Sequence, residues 1–323
     1  MAERRVLSDE AWAWLEPRLP DRTPRRGGRW RDHRQVIEAI AWKYRTGAAW
    51  REIPAERFGP WQTAYERQTR WSEDGTWARL FAAAQADADA RAELDWLVSA
   101  DSSMVRVHQH GAAARRISVA TPRPPLARPH HLARSQGARS NDKNSRSDHP
   151  RRRERPVAAE PSDHAIGRSR GGLTTKVHAV VDGQARPLVL QLTAGNVNDT
   201  TQFPQLMTAI AVARPGRGRP RTRPDYVLAD KGYSSRANRE LLRRRGIAHT
   251  IPEPADQKAN RARRGSRGGR PVGFDKTRYR RRNTVERGFC QLKHWRGLAT
   301  RYDRNARNYL GALHLAALLT WLP

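Results

Sequence analysis

Apolar positions recur at helical spacing through the first 90 residues and alternate along strands after residue 95. In "HRQVIEAIAWKYRTG", Val36, Ile37, Ile40, Ala41 and Tyr44 share one helical face, and Gly47 ends the helix. Ser8 caps an earlier helix whose first turn carries Asp9 and Glu10. "AAWREIPAERFG" reads as a short helix, and Gly59-Pro60 opens another, because Pro suits the first helical turn. In that last helix Trp61, Ala64, Tyr65 and Trp71 are expected inside. Gln62, Thr63, Glu66, Arg67 and Arg70 are expected outside. Helix, tight turn, helix with a polar outer face is a helix-turn-helix pattern, whose second helix enters the major groove of DNA. A plain three-helix bundle would give the same pattern. Eight of the eleven tryptophans precede residue 80, which marks a unit with its own aromatic core.

The pattern then changes. "DWLVSADSSMVRVH" reads as a strand, and "LTTKVHAVVDG" with "RPLVLQLTAG" reads as a β-hairpin turning at Asp-Gly. "TTQFPQLMTAIAVA" is a helix, "YVLADKGY" a short buried strand, "SSRANRELLRRRG" a helix and "IAHTIPE" a strand. "ANRARRGSRGGRP" reads as a flexible basic loop, and Tyr279 to Leu298 as one further helix. "YLGALHLAALLTWL" reads as a buried terminal helix, short of the ~20 apolar residues a bilayer requires. Strands interleaved with helices predict an α/β fold with a mixed sheet and flanking helices behind the helical part. The division is 1–90, a helical DNA-binding domain, and 91–323, the sheet domain. A stretch at about 115–166, rich in Pro, Arg, Ser and Asn, interrupts the second; it buries too little to offset its ordering entropy and reads as disordered.

A formal net charge of +30 on 323 residues narrows the partner to a polyanion. Nucleic acid leads, because Lys and Arg gain affinity by neutralising phosphates; an anionic membrane surface is the rival. The N-terminus has no apolar core of signal-peptide type. The single cysteine, Cys290, excludes a disulfide framework and a Cys-based zinc site. The expected location is cytoplasmic, on the nucleoid. His108, His110, His130 and His131 follow no metal-ligand spacing. "RGRP", Arg217 to Pro220, is the core of a minor-groove hook but fits a basic linker better. "RRGSRGGRP" suits phosphate contact without sequence readout.

Carboxylates are scarce in the second part, so their positions carry information. Asp101 comes late in its strand, after "WLVSA", and Asp230 ends "YVLAD". Open α/β sheets place their sites at such strand ends. A turn would also account for Asp230. Glu286 lies on a helix whose core stripe is Val285, Phe289 and Leu292, and Tyr279, Arg282, Glu286 and Lys293 share the adjoining face. The plain reading of Glu286 is an i,i+4 ion pair with Arg282, worth about 0.3–0.5 kcal/mol. Three converging carboxylates in a basic frame would instead suit hard divalent cations, Mg²⁺ or Mn²⁺. Two such ions about 3.5–4 Å apart serve in-line phosphoryl transfer.

Tyr279-x2-Arg282-x3-Glu286-x6-Lys293 resembles the signature around the catalytic Glu of DDE transposases of bacterial insertion sequences. "VSADSSMVRVHQHG" is similar to their first Asp block and "VLADKGYSS" to their second. "GRSRGGLTTKVHAVVDG", "LTAGNVNDT" and "ATRYDRNARNYLGALHLAALLTWL" resemble further family blocks. The N-terminal unit resembles that of the "IS-five" branch. The likeness spans nearly the whole chain except residues 117–160. It implies an RNase H-like catalytic fold, with metal ligation by Asp101, Asp230 and Glu286 and two Mg²⁺ ions, for which Mn²⁺ substitutes. It also implies that Tyr279, Arg282 and Lys293 position the transposon-end strand, and that Asn196 and Asp199 are supportive. The N-terminal helix carrying Gln62, Thr63, Arg67 and Arg70 would bind double-stranded DNA at the element's terminal inverted repeats. A homodimer or higher assembly would pair the ends and engage target DNA. The basic stretch between the Asp101 block and "GRSRGG" is longer than the family pattern. It is either a tolerated surface loop or the mark of a decayed copy. The alternatives are therefore an inactive remnant that only binds DNA and a nuclease without strand transfer.

Overall fold

The computed structural model describes residues 6–23, 30–114, 163–214, 216 and 218–323. The basic insertion up to residue 162, His130, His131 and Arg217 lie outside the described residues. Residues 163–166, assigned above to that insertion, are described, and His164, Ala165 and Ile166 are buried. They are pinned from the far end of the chain, where Arg301 Nη1 donates to the His164 carbonyl at 2.8 Å.

Among the described residues, five α-helices precede the first strand: α1 (Asp9–Leu15), α2 (His33–Thr46), α3 (Ala55–Phe58), α4 (Trp61–Glu73) and α5 (Thr76–Ala90). Their ends follow the sequence signals. Ser8 Oγ accepts from Ala11 N at 3.0 Å. Gly47 terminates α2 at φ +76°, in the left-handed region that glycine enters without strain. Pro54 separates a 3-10 turn, Trp50–Glu52, from α3, so the short helix expected there is two pieces.

Two positions on α4 reverse the expected facing. Arg67 is only 6% exposed, with Nη1 2.7 Å from His33 Nδ1 and its guanidinium 4.0 Å from the Trp30 ring centroid. Tyr65 is 41% exposed, its ring edge-on to Trp50. Helical geometry gives the reason: Ala64 and Trp71 are both buried, and residues 67 and 68 complete the same i, i+3/i+4 stripe. Gln68 is fully buried there, accepting from Trp77 Nε1 at 2.9 Å. Gln62 stays exposed, while Thr63 and Arg70 are half-buried.

The second part opens with β1 (Leu97–Val107), then a short helix α6 (Gln109–Ala112). Next come β2 (Gly167–Ser169), β3 (Gly172–Val181), β4 (Pro187–Ala194), α7 (Asp199–Ala209), β5 (Tyr226–Ala229), α8 (Arg236–Arg244) and β6 (Ala248–Thr250). The chain closes with α9 (Ala255–Arg263), α10 (Lys276–Tyr279), α11 (Asn283–Lys293), α12 (Arg296–Ala299), β7 (Thr300–Arg301) and α13 (Ala306–Leu318). The expected basic loop at 259–271 begins as helix, because α9 is built of strong helix formers after Pro254. The helix expected from Tyr279 to Leu298 is broken by a 3-10 turn at Arg280–Arg282 and again before α12.

β1 pairs antiparallel with β3, and β3 antiparallel with β4. β5 runs parallel to β1, and β6 parallel to β5. Apart from β2 and β7, the strands therefore lie in the order β4-β3-β1-β5-β6, three antiparallel and then two parallel, which is the RNase H-like strand order that the resemblance implied. β2 extends β3 at its start, and β7 runs parallel beside the end of β1.

The terminal helix α13 is buried along most of its length, as its apolar run required. It packs against α4, α5 and β4, so one hydrophobic core runs from the N-terminal helices into the sheet. Polar ties reinforce this junction. Gln68 Nε2 donates to the Asn308 carbonyl at 2.9 Å, Tyr44 OH to Asp303 Oδ1 at 3.0 Å, and Trp321 Nε1 to the Pro187 carbonyl at 2.8 Å.

Candidate active site

β1 has a gap along one edge. β5 pairs with Leu97–Ala100 and β7 with Arg106–Val107. Among the described residues no strand covers the stretch between them. Asp101 is the first residue in that gap. It is the fifth residue of an eleven-residue strand, so the sequence placed it too late. It still stands level with the end of β5, because Ala100 pairs with Ala229 and Asp230 follows directly. Both aspartates thus reach the mouth of the cleft where the parallel strands stop, the usual site position of open α/β sheets.

Asp230 caps a 3-10 turn, Lys231–Tyr233, its Oδ1 accepting from Gly232 N at 2.7 Å. The turn role considered for it is therefore present. It does not remove the carboxylate from the cleft. The neighbouring Tyr233 phenol has its pKa raised, first by burial and then by Asp199, Asp101 and Asp230.

α11 brings the third carboxylate. Val285, Phe289 and Leu292 are buried, as their spacing predicted. They seat the helix on the face of β1 that carries Asp101, Ser103 and Val105. Its start is tied down twice, by Thr284 Oγ1 donating to Ser99 Oγ at 3.2 Å and by an Arg281–Asp95 ion pair. Gly288 allows the close approach: a Cβ there would meet the Ala185 carbonyl oxygen and Val181 Cγ1 at 3.0 Å.

Arg282 stands between the acids. Its Nη1 donates to Glu286 Oε1 at 2.8 Å and its Nη2 to Asp101 Oδ2. The i,i+4 pair is thus real, but it is one arm of a bridge from α11 to β1. Burial pushes Asp101 up to about 6, outweighing the pull of Arg282 and of the Ser102 amide; Asp230 and Asp199 add to the rise. Burial also raises Tyr279; Arg282 opposes it, and Asp230, Asp101 and Glu286 reinforce it. Tyr279 and Arg282 therefore both feel all three carboxylates. Lys293 ends α11 beside Ser103 and Val105.

Asp199 opens α7 on the other face. It accepts from Ser102 Oγ at 2.8 Å and pairs with Lys176 Nζ at 2.9 Å. Burial holds the nearby His178 down to about 4, so that ring is neutral at pH 7. Ser102, Lys176, His178 and Tyr233 escaped the sequence reading. The alternation of β3, which puts Lys176 and His178 on one face, is a signal for those two alone. Asn196 is exposed and lies against Gly167, away from the acids.

The donor chemistry fits a hard divalent cation: all-oxygen ligands from three elements, one of them destabilised as an anion by burial. A guanidinium sets the spacing of Asp101 and Glu286, and among the described residues no three His, Cys, Asp or Glu stand close enough to hold an ion as arranged. Lys231 follows Asp230, Arg287 follows Glu286, and Lys276, Arg278 and Arg280 flank Tyr279; all five are exposed. Among the described residues no helix is long and apolar enough to cross a membrane.

Residues 93–321 match the family described as "Transposase DDE domain", and residues 7–81 match "Putative transposase of IS4/5 family". The "Putative transposase for insertion sequence element IS402" of Burkholderia cepacia is 39% identical over 46% of this chain, which spans 63% of that relative. The "Putative transposase for insertion sequence element IS6501" of Brucella ovis is 30% identical over 46% of this chain and 99% of its own. The crystal structure of a pre-cleavage Mos1 transpososome aligns over 93% of this chain and 80% of its own, at 12% identity and a TM-score of 0.25. At that score the fold assignment rests on the strand order alone.

Proposed function

This chain belongs to the transposase DDE-domain family, and from that premise we propose that it cleaves the ends of its own insertion sequence and joins them to target DNA. Asp101, Asp230 and Glu286 hold the divalent metal, two Mg²⁺ ions that Mn²⁺ can replace. The bound metal supplies Lewis-acid activation of the attacking oxygen and charge stabilisation at the leaving one. The observation that carries the reading is that one guanidinium, Arg282, bridges Asp101 on β1 to Glu286 on α11 beside the end of β5, where Asp230 follows the residue paired with Ala100.

The chain's own residues do the rest. Tyr279, Arg282 and Lys293 position the transposon-end strand along the cleft. The exposed Arg280, Arg287 and Lys231 neutralise flanking phosphates, which is also what makes the carboxylate cluster approachable by DNA. Residues 1–90 act as the DNA-binding domain, with Gln62, Thr63 and Arg70 of α4 meeting the terminal inverted repeats. Arg67 supports that helix from within, through Trp30 and His33. Asp199 and Asn196 act as supports, and a second copy pairs the two ends. The test is incubation with labelled terminal repeats, target plasmid and Mg²⁺, scoring binding, nicking and joining separately. All three activities are expected. Binding without Mg²⁺-dependent nicking would identify a DNA-binding remnant, and nicking without joining a plain nuclease.

A further inference from the structure

Arg282 occupies a position that a phosphate-binding side chain does not need. Its side chain is 18% exposed. Both terminal nitrogens are committed, one to Glu286 and one to Asp101, which lies 181 positions away in the chain. Its Nε is buried without a hydrogen-bond partner. A guanidinium fork recognises carboxylate and phosphate by the same geometry, and one more anionic oxygen would satisfy the Nε–H as well. The fork is therefore held by the acids but incompletely satisfied by them.

The oxygens it holds are those assigned to metal. An ion of Mg²⁺ type sits about 2.0–2.1 Å from each ligating carboxylate oxygen and competes with Arg282 for Asp101 Oδ2 and Glu286 Oε1. A metal ion on those oxygens would stand against the Arg282 guanidinium, and the like charges repel. Without another anion to receive it, Arg282 would be left buried and unpaired, which disfavours its release. DNA supplies that anion. The exchange requires only side-chain rotation, because Val285, Phe289 and Leu292 anchor α11 independently of Arg282.

We propose that Arg282 is the resident cation of the carboxylate cluster in the DNA-free protein, and that metal enters as Arg282 transfers from Asp101 and Glu286 to a DNA phosphate. This rests on the reading of Asp101, Asp230 and Glu286 as metal ligands. It makes DNA and metal binding mutually reinforcing, each tightening the other by the same factor. The free protein is thereby kept from assembling a hydrolytic centre away from DNA.

The experiment measures Mn²⁺ binding to the full chain from the electron paramagnetic resonance signal of the free aqueous ion. It is run with and without a short duplex of arbitrary sequence, the duplex-only signal being subtracted. The wild-type protein binds Mn²⁺ about tenfold more tightly with duplex, within the usual range of coupling. Arg282→Gln binds at the tighter level already without duplex and gains little from it. Arg282→Lys keeps the charge but cannot span both carboxylates, and it falls between; it also serves if the Gln variant unfolds. Asp230→Asn, whose amide preserves the turn cap, loses the site in every background. Wild-type affinity in both Arg282 variants, with Asp230→Asn still abolishing binding, overturns the exchange and spares the ligand assignment. Mn²⁺ binding that survives Asp230→Asn overturns the ligand assignment and the exchange with it.

Discussion

Gly288 sets how closely Glu286 approaches the aspartates, and replacing it with Ala tests that claim with two effects of opposite sign. A Cβ at 288 would lie 3.0 Å from the Ala185 carbonyl oxygen and from Val181 Cγ1, against ordinary contacts beginning near 3.4 Å, so α11 must retreat by about 0.4 Å. The β3–β4 turn cannot yield instead. The Arg186 and Gln184 amides both donate to Asp182 Oδ1, at 2.8 and 2.9 Å, and Ala185 already sits at φ +72°. Overpacking of this kind costs about 1–3 kcal/mol, whereas Ala in place of a mid-helix Gly gains about 1 kcal/mol. The net expectation is a loss of up to about 2 kcal/mol. Gly288→Val, which adds two methyl groups to the same contact, loses about 3 kcal/mol. A 1 Å misplacement costs on the order of 10²-fold in rate, so the Ala variant should cleave a labelled transposon end on the order of tenfold more slowly and the Val variant more slowly still. Single-turnover cleavage at saturating protein, with thermal unfolding alongside, provides the assay. A Gly288→Ala protein that melts higher and cleaves at the wild-type rate would refute the close-approach argument, because only the propensity gain would then remain.

Three further outcomes follow from particular contacts. Asp101 has a folded-state pKa of about 6 against an ordinary 3.8, so its contribution to stability is full below pH 3.8 and is lost as pH rises through 6. Without divalent metal, Asp101→Asn should therefore gain about 3 kcal/mol relative to wild type between pH 3.5 and pH 7, read by urea unfolding; an equal difference at both pH values would contradict it. Arg67→Ala should lower the melting temperature, because it leaves His33 Nδ1 without its Arg67 contact and removes one of the two guanidinium groups over the Trp30 ring, whereas Gln62→Ala should leave stability alone and weaken binding to transposon ends; the reverse pattern would restore the outward facing of Arg67. Tyr44→Phe removes the buried hydrogen bond to Asp303, whose other oxygen already lacks a partner, and should cost about 1–3 kcal/mol in thermal unfolding.

The strands and most helices were legible because their signals are local. Alternation in "LTTKVHAVV" and the Asp-Gly turn define the hairpin, and Val285, Phe289 and Leu292 define the buried stripe of α11. The inward facing of Arg67 runs against its residue type and follows from its place on the stripe between Ala64 and Trp71. Asp101 was placed too late because the strand continues past the point where its parallel neighbour ends, and pairing length is a property of two segments. Arg282 shows the limit most clearly. Its i,i+4 relation to Glu286 is written in the helix, but its second arm to Asp101 depends on how α11 lies across β1. The Ser102–Asp199–Lys176 group likewise joins three elements that no spacing rule connects.

The central claim is that Asp101, Asp230 and Glu286 act as one metal-dependent centre. Its most direct test is single-turnover cleavage of a labelled transposon end by Asp101→Asn, Asp230→Asn and Glu286→Gln, compared at equal DNA occupancy in Mg²⁺. Each variant is expected to bind the end and to lose cleavage. Cleavage near the wild-type rate by Glu286→Gln would contradict the claim and return Glu286 to the role of a helix ion-pair partner.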